Sequence, residues 1–479
     1  MAGSNQVIPV LYCSRAHAGR EVATWVGRAV ESGMSEIDLL ADADMRAARY
    51  LAEVDRRRVF PDEPAIAALA AFDAPLRDEP QPPSDVLRML DELGSPATVV
   101  SNGPHYFGFV VGAALPAAAA ADRLALAWDQ CAPSAMNSPA AAAIEKAAAR
   151  LVLEALDLPR SSAVGFGTSA TACGISCLTA ARRALLARAG WDFDRDGLAG
   201  APEVRVVVSD LAHVTIVKSL RVLGFGTGRI VRAPCDAHGR IDPDRLPPLD
   251  DRTILCVQAG EVNTGEFDPF ATLVPRAKKA GAWVHVDGAF GLWARANPAS
   301  RALTDGVDGA DSWTTDGHKW LNTPYDGAMG ICRDVSALTA AMTSDAPYMP
   351  PVPDAQRNLT LEFSRRPRGI AIWAALRALG RSGLTELIER HCMYARRLAE
   401  GLSAAGLEVL NRVVLNQVLF RARDDAATAA LLKRAQASGQ LWFGSTRWHD
   451  RMACRLSVSS WRTTREDIER AIAVIAAAA

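Results

Sequence analysis

The 479-residue sequence predicts an α/β protein built on a mainly parallel sheet, followed by a smaller α+β domain. Two observations carry this reading. Between about residues 86 and 335, apolar helical patterns (139–157, 170–189, 269–280) alternate with short β-branched runs (204–208, 229–231, 253–257, 283–286), and strand and helix in turn build a parallel sheet covered by helices. After about residue 365, helical stretches from Gly369 to Leu379 and from Leu384 to Ala404 precede the strand-like runs VVLNQVLF (413–420) and CRLSVSSW (454–461). The chain is also too long for one small core, so a large domain with smaller companions is expected.

Taken in order, residues 1–85 are expected to form an N-terminal helical arm and a connector, because PLRDEPQPPSD (75–85) carries Pro75, Pro80, Pro82 and Pro83. Residues 86–365 then make the large domain and 366–479 the small C-terminal one. The start of the chain lacks the charged, apolar and small-residue zones of an export signal. The most apolar run, FGFVVGAALPAAAAA (107–121), is interrupted by Pro116 and too short to span a bilayer. Neither export nor membrane insertion is expected, and the predicted location is the cytoplasm.

With 53 basic and 54 acidic residues the net charge is −1, so no basic excess points to nucleic acid or an anionic membrane. The nine cysteines are odd in number, scattered and without a C-x-x-C pair, and read as reduced core thiols.

The chemistry concentrates in two blocks, WVHVDGAFG (283–291) and DSWTTDGHKWLNTPYDGAMGICRD (311–334). Asp287 ends a strand-like run and Lys319, beside His318, follows 32 positions later. One connecting segment of that length can return both groups to the same edge of a parallel sheet. A lysine can hold an aldehyde cofactor as a Schiff base and release it to an incoming amine. A buried carboxylate can keep a pyridine nitrogen protonated, making the ring an electron sink.

Either residue alone reads equally as a surface lysine or a capping aspartate. His285 and Asp287 could form half of a metal site, but no second His or Cys cluster completes it, and no metal is expected.

Three further segments join them. GFGTSATACGISCLTAARRALL (165–186) runs from small residues into a helix, whose first amides, with Thr168 and Ser169, suit an anion or serve as an ordinary cap. LGFGTG (223–228) follows a helix instead of a strand and reads as a turn, not a dinucleotide fingerprint. His213, five residues beyond a strand end, could stack on a cofactor ring or cap a helix. In QAGEVNTGEFDPF (258–270), Asn263, Thr264 and Gly265 suit a polar loop over the sheet edge, and Asp268-Pro269 suits a helix cap.

In this order GTSATA, SDLAHVTIVKS, NTGEFDP, HVDGAFG, DGHKWLNTPYD and SVSSWRTT resemble the group II pyridoxal-dependent decarboxylases, the family of aromatic-amino-acid, tyrosine and glutamate decarboxylases. The resemblance runs from about 85 to 475. It implies the fold-type I, aspartate-aminotransferase-like architecture, pyridoxal 5′-phosphate as cofactor, and a homodimer with its active site at the subunit interface.

Carried over by position, Lys319 resembles the Schiff-base lysine, Asp287 the partner of the pyridine nitrogen and His213 the ring-stacking histidine. Ser169, Ala170 and His318 match phosphate-binding positions, and Ala289 a residue packed on the cofactor's other face. Asp316 and Thr264 match positions that only some members use. A carboxylate near a phosphate is repelled, so Asp316 is expected to orient its neighbours. SNGPHYFGFV (101–110) is similar to the family's substrate entrance, which makes His105, Tyr106 and Phe107 pocket candidates beside a plain aromatic-packing reading.

The implied reaction is decarboxylation of an L-amino acid to its amine through the Lys319 Schiff base and a quinonoid. One departure bears on the product: the stretch VPDAQRNLTLEFSRRPRG (352–369) lacks the tyrosine that many members carry in a mobile loop, and Tyr348 just precedes it. An aldehyde synthase or aminotransferase on the same scaffold is therefore the alternative, and a non-catalytic cofactor-binding protein a remote one. The substrate side chain stays open, since sequence does not say which of Trp293, Trp313, Arg295, Arg447 or Trp448 faces inward.

Overall fold

The computed structural model describes residues 34–344, 352 and 354–479, and the chain divides into two compact units, Met1–Val99 and Val100–Ala479. In the first unit, the helix Glu36–Glu53 opens with a capping box, in which Ser35 and Asp38 each satisfy the other's backbone amide. Arg46 and Arg49 of this helix both reach Asp91 (2.9 and 2.7 Å), joining it to the turn Leu90–Gly94. The proline-rich stretch before Pro83 has no regular structure and is exposed.

The second unit is organised by seven strands: β1 (Ala163–Gly167), β2 (Arg205–Ser209), β3 (Val231–Ala233), β4 (Thr253–Gln258), β5 (Trp283–Asp287), β6 (Ser312–Asp316) and β7 (Ala328–Cys332). Their order is β1-β7-β6-β5-β4-β2-β3, and every pairing is parallel except the two made by β7. These strands are almost wholly buried, as expected where helices cover both faces of a parallel sheet. On one face Val207, Leu255, Val257, Val284 and Val286 pack with the helices Pro139–Ala155 and Phe270–Lys279. On the other, Val206, Val208, Ile254, Cys256 and Trp283 pack with Ala170–Arg188 and Val214–Val222.

A second sheet of β8 (Glu408–Val409), β9 (Gln417–Arg421), β10 (Gly444–Trp448) and β11 (Arg451–Ser457) is antiparallel, in the order β10-β11-β9-β8. Its core (Val418, Phe420, Leu431, Phe443, Leu456, Ile468) is separate from the first. The helical stretch between the sheets, Gly369–Ala404, breaks at Gly380 (φ 61°, ψ −169°), inside the gap the sequence left between its two predicted helices. Among the described residues no helix is long and apolar enough to cross a membrane.

Several local expectations need correction. The strand predicted at 229–231 lies at Val231–Ala233, because Thr227–Arg229 is spent on a 3-10 turn. The run 413–420 is strand only from Gln417, since Val413 has a positive φ of 48°. The strand in 454–461 ends at Ser457, and the residues beyond it bond to the lysine loop described below. Asp268 does not cap the following helix. Its buried carboxylate accepts from the amides of Ile241 (2.7 Å) and Gln258 (2.6 Å), tying the end of β4 to the segment beside it.

Candidate active site

The chemistry-bearing residues collect where the parallel strands end, the edge at which open α/β sheets bind ligands. Asp287 is the last residue of β5 and Asp316 the last of β6. Asp287 pairs in register with Thr314, two residues before Asp316, so side-chain alternation puts all three on one face. That face carries the helix Ala170–Arg188, whose first residue follows the β1 end by three positions.

Lys319 follows β6 on a tight loop. Its Nζ lies 2.9 Å from Asp316 Oδ2, and its side chain keeps 21% exposure against 3% for the aspartate. The loop is held from two directions. Gly112 packs so closely that an added Cβ would stand 1.9 Å from the Lys319 carbonyl oxygen. Asn322, in the left-handed region at φ 58°, donates to the carbonyls of Trp320 (2.8 Å) and Ser459 (2.9 Å) and accepts from the Trp461 amide (2.8 Å). Asparagine tolerates that conformation better than other side chains of its size.

Asp316 Oδ1 accepts from the Ala170 amide at 2.6 Å, and His318 Nε2 lies 3.7 Å from the same oxygen. Ser169 caps the helix by accepting from the Ala172 amide (3.2 Å). His318 Nδ1 accepts from the Gly327 amide (3.2 Å), which leaves the proton on Nε2. Burial lowers the His318 pKa, with Asp316 pulling it back up and Lys319 pushing it down. The Tyr325 ring stacks on His318 at 4.3 Å, with the residue 57% exposed.

His213 heads the helix Val214–Val222, with Nδ1 2.7 Å from the Thr215 hydroxyl. Its pKa is lowered by burial first, while Asp287 and Asp316 raise it and Lys319 and Arg455 lower it. The imidazole is therefore neutral near pH 7, in the field of both aspartates and the lysine. Asp287 Oδ1 accepts from the Ala289 amide (3.2 Å), and the Ala289 carbonyl accepts from the Asp316 amide (2.9 Å), so the two carboxylates share one backbone brace.

Lys319, Asp316, His318, His213, Asp287, Ala289, Ala170, Ser169 and the adjoining Thr168 thus share the sheet edge. Thr264 lies on the β4 loop, where its hydroxyl is spent on Glu261 (3.0 Å); the same carboxylate also accepts from the Asn263 and Thr264 amides. Tyr106 stacks on Trp442 (centroids 5.0 Å, planes 8° apart), with Phe109 tilted against the same indole at 5.3 Å.

Two pocket candidates are committed elsewhere. His105 Nε2 lies 2.7 Å from Asp467 Oδ1, in the capping box of the last helix. Phe107 is 1% exposed within the core of the small sheet. Tyr348 lies outside the described residues.

Of the residues whose facing was left open, Trp293 and Trp313 are core and Trp448 packs with Leu419 and Ala453. Arg295 donates to the carbonyls of Leu156 and Asp157, and Arg447 to that of Asp450. His285 bonds Ser312 and is buried. Asn322, Tyr325, Glu261 and Trp442 escaped sequence reasoning. Only Asn322 and Tyr325 carried a signal, their nearness to Lys319.

Residues 68–423 match the model of the pyridoxal-dependent decarboxylase conserved domain. The chain belongs to this family. Among curated relatives, tryptophan decarboxylase 1 of Oryza sativa subsp. japonica is 28% identical over 401 residues, covering 74% of this chain and 76% of that one. Phenylacetaldehyde synthase of Arabidopsis thaliana is 24% identical over 431 residues (83% and 86%). The fold matches the crystal structure of Oryza sativa TDC with PLP and tryptamine at a TM-score of 0.83 and 24% identity, covering 97% and 99% of the two chains. The architecture is fold-type I and the cofactor of the family is pyridoxal 5′-phosphate.

The residues fit such a group. They offer a partly accessible primary amine, a buried carboxylate with an amide on one oxygen, a neutral imidazole and the head of a 19-residue helix. Beside Asp287, the Thr314 hydroxyl is buried and without a partner.

Proposed function

We propose that this pyridoxal-dependent decarboxylase removes the carboxylate of an aromatic L-amino acid to release the amine, as a homodimer in the cytoplasm. The observation that carries the reading is the meeting of Lys319, Asp287 and His213 at one edge of the sheet. Bound pyridoxal phosphate supplies an aldehyde for amines and a conjugated ring that accepts an electron pair.

Lys319 is the amine that would hold the aldehyde, Asp287 would keep a proton on the ring nitrogen, and His213 would lie against the ring face. The helix head at Ser169 and Ala170, with His318, would receive the phosphate. Burial sharpens these charges, since a water-poor site strengthens electrostatics and disfavours a free carboxylate. Tyr106, Phe109 and Trp442 support an aromatic side chain by supplying flat apolar surface. The aromatic amino acid in the name of the rice relative, tryptophan decarboxylase 1, points the same way. Buried free cysteines support a reducing compartment.

The absence of a tyrosine from 352–369 favours a second reading, in which oxygen enters and an aldehyde is released. One experiment tests both. Purified protein should show a near-visible band that borohydride removes and that Lys319→Ala lacks, and it should release carbon dioxide from aromatic L-amino acids without a keto acid. Amine as sole product supports the first reading; aldehyde, ammonia and peroxide support the second. A protein that stays colourless after incubation with pyridoxal phosphate would sink the proposal.

A further inference from the structure

At the head of the helix Ala170–Arg188, where the proposed function seats the cofactor phosphate, the chain already supplies an anion of its own. Asp316 Oδ1 takes the Ala170 amide at 2.6 Å while Oδ2 takes Lys319 Nζ at 2.9 Å. The side chain is 3% exposed. Its backbone is fixed as the end of β6, paired with Ala328 and bonded through its amide to the Ala289 carbonyl. The carboxylate therefore has no backbone freedom with which to retreat. Residue 170 is an alanine, so its amide is the only donor it can offer a phosphate.

We propose that Asp316 sets the protein's affinity for its cofactor by competing with the phosphate group for the Ala170 amide and repelling its charge. This inference rests on the reading above that the phosphate sits at this helix head. The groups that bear on Asp316 are consistent with the role. Among the described residues Lys319 is its one full counter-charge within bonding distance, and His318, 3.7 Å away, stays neutral at physiological pH because burial opposes its protonation. His213, Tyr325 and Cys173 also lie within its electrostatic reach, and none brings a fixed positive charge.

A phosphate dianion placed at this amide would thus meet a buried carboxylate of like sign. Repulsion at such range in a partly buried site is large enough to be read as a change of tenfold or more in binding. It acts only on ligands that carry the phosphate.

The test is equilibrium binding to cofactor-free protein, followed by absorbance, for pyridoxal phosphate and for pyridoxal, in the wild type, Asp316→Asn and Asp316→Ala. Asp316→Asn keeps an oxygen for the Ala170 amide and removes the charge; Asp316→Ala frees the amide as well. The quantity read is the ratio of the two dissociation constants, pyridoxal over pyridoxal phosphate, which cancels any disturbance of Lys319 common to both ligands.

The expected result is a ratio at least tenfold higher in Asp316→Asn and higher again in Asp316→Ala, with inorganic phosphate competing more strongly in both. An unchanged ratio, or one that falls, overturns the proposal and leaves Asp316 as an orienting residue for Lys319. Lys319→Ala serves as the control: if it binds both ligands with the wild-type spectrum, the lysine assignment has failed instead. Circular dichroism and melting of each variant separate misfolding from altered binding.

Discussion

Two ion pairs among the described residues, Arg365–Glu145 and Lys319–Asp316, are of opposite character. Arg365 and Glu145, 220 residues apart in sequence, form a bidentate pair at 2.8 and 2.7 Å with both side chains at most 1% exposed. The remaining donors on its terminal nitrogens go to the carbonyls of Ala132 and Phe166, and Glu145 Oε1 also accepts the Gly369 amide. This knot joins β1, the helix Pro139–Ala155 and the start of the stretch toward the small sheet. Lys319 and Asp316, by contrast, share one contact, and the lysine stays partly open. A pair whose terminal nitrogens are all bonded and whose side chains are closed to solvent has little to offer a ligand, whereas the single contact of Lys319 holds an amine in place and leaves it partly accessible.

Breaking each pair should therefore have different consequences. The largest effect is expected from Lys319→Ala, which should abolish the near-visible band and carbon dioxide release. Its cost in stability should be only about 1–2 kcal/mol, because the Ala170 amide still satisfies Asp316; spectra and chemical denaturation read the two effects separately. Arg365→Met should do the reverse, destabilising the protein by about 3–5 kcal/mol by stranding Glu145 without a charge partner. Adding Glu145→Leu to Arg365→Met should recover much of that loss. A double variant no more stable than Arg365→Met alone would mean that the pair acts through its carbonyl contacts instead of its charges.

Acid sharpens the comparison further, because two buried histidines stand outside both pairs. His391 accepts from the Trp320 indole through Nδ1 (2.8 Å) and places Nε2 2.9 Å from the Ser460 carbonyl, and burial lowers its pKa to about 3. Burial lowers His285 to about 4. A folded pKa below the unfolded value of about 6.5 means that the unfolded chain takes protons first. Stability should therefore fall as pH drops below about 6.5, by up to about 1.4 kcal/mol per unit for each histidine. His391→Gln should flatten that slope in denaturation profiles. The smallest effect belongs to Ser169→Ala, which removes a helix cap at a cost of about 1 kcal/mol, measurable as a shift in the denaturation midpoint.

The alternation of runs made β2 to β5 of the large sheet legible but not β1, β6 or β7, and the flank of Gly380 marked the helix break. The candidate pair Lys319 and Asp287 was legible because Asp287 ends a strand-like run and the 32-position spacing lets one connecting segment return Lys319 to the same edge. What stayed hidden depends on long-range partners that leave no local period. Nothing near Glu145 announces Arg365, and nothing near Asn322 announces Ser459. His105, Tyr106 and Phe107 were grouped because the segment 101–110 is similar to the family's substrate entrance, yet Phe107 lies in the core of the small sheet and His105 lies against Asp467. Asp268 carried the dipeptide of a helix cap, but its carboxylate found two amides elsewhere. Glu261 is the exception, because its carboxylate takes four donors from Asn263 and Thr264, two and three positions along the same loop.

The Asn322 bond to Ser459 spans 137 residues, and that span has a consequence in time. A ribosome adding about 5–20 residues per second delivers Ser459 about 7–27 seconds after Asn322. Lys319, Asp287 and the helix head are all synthesised well before the strap that holds the lysine loop arrives. The nascent chain therefore carries every candidate cofactor contact before the Ser459 side of that strap exists.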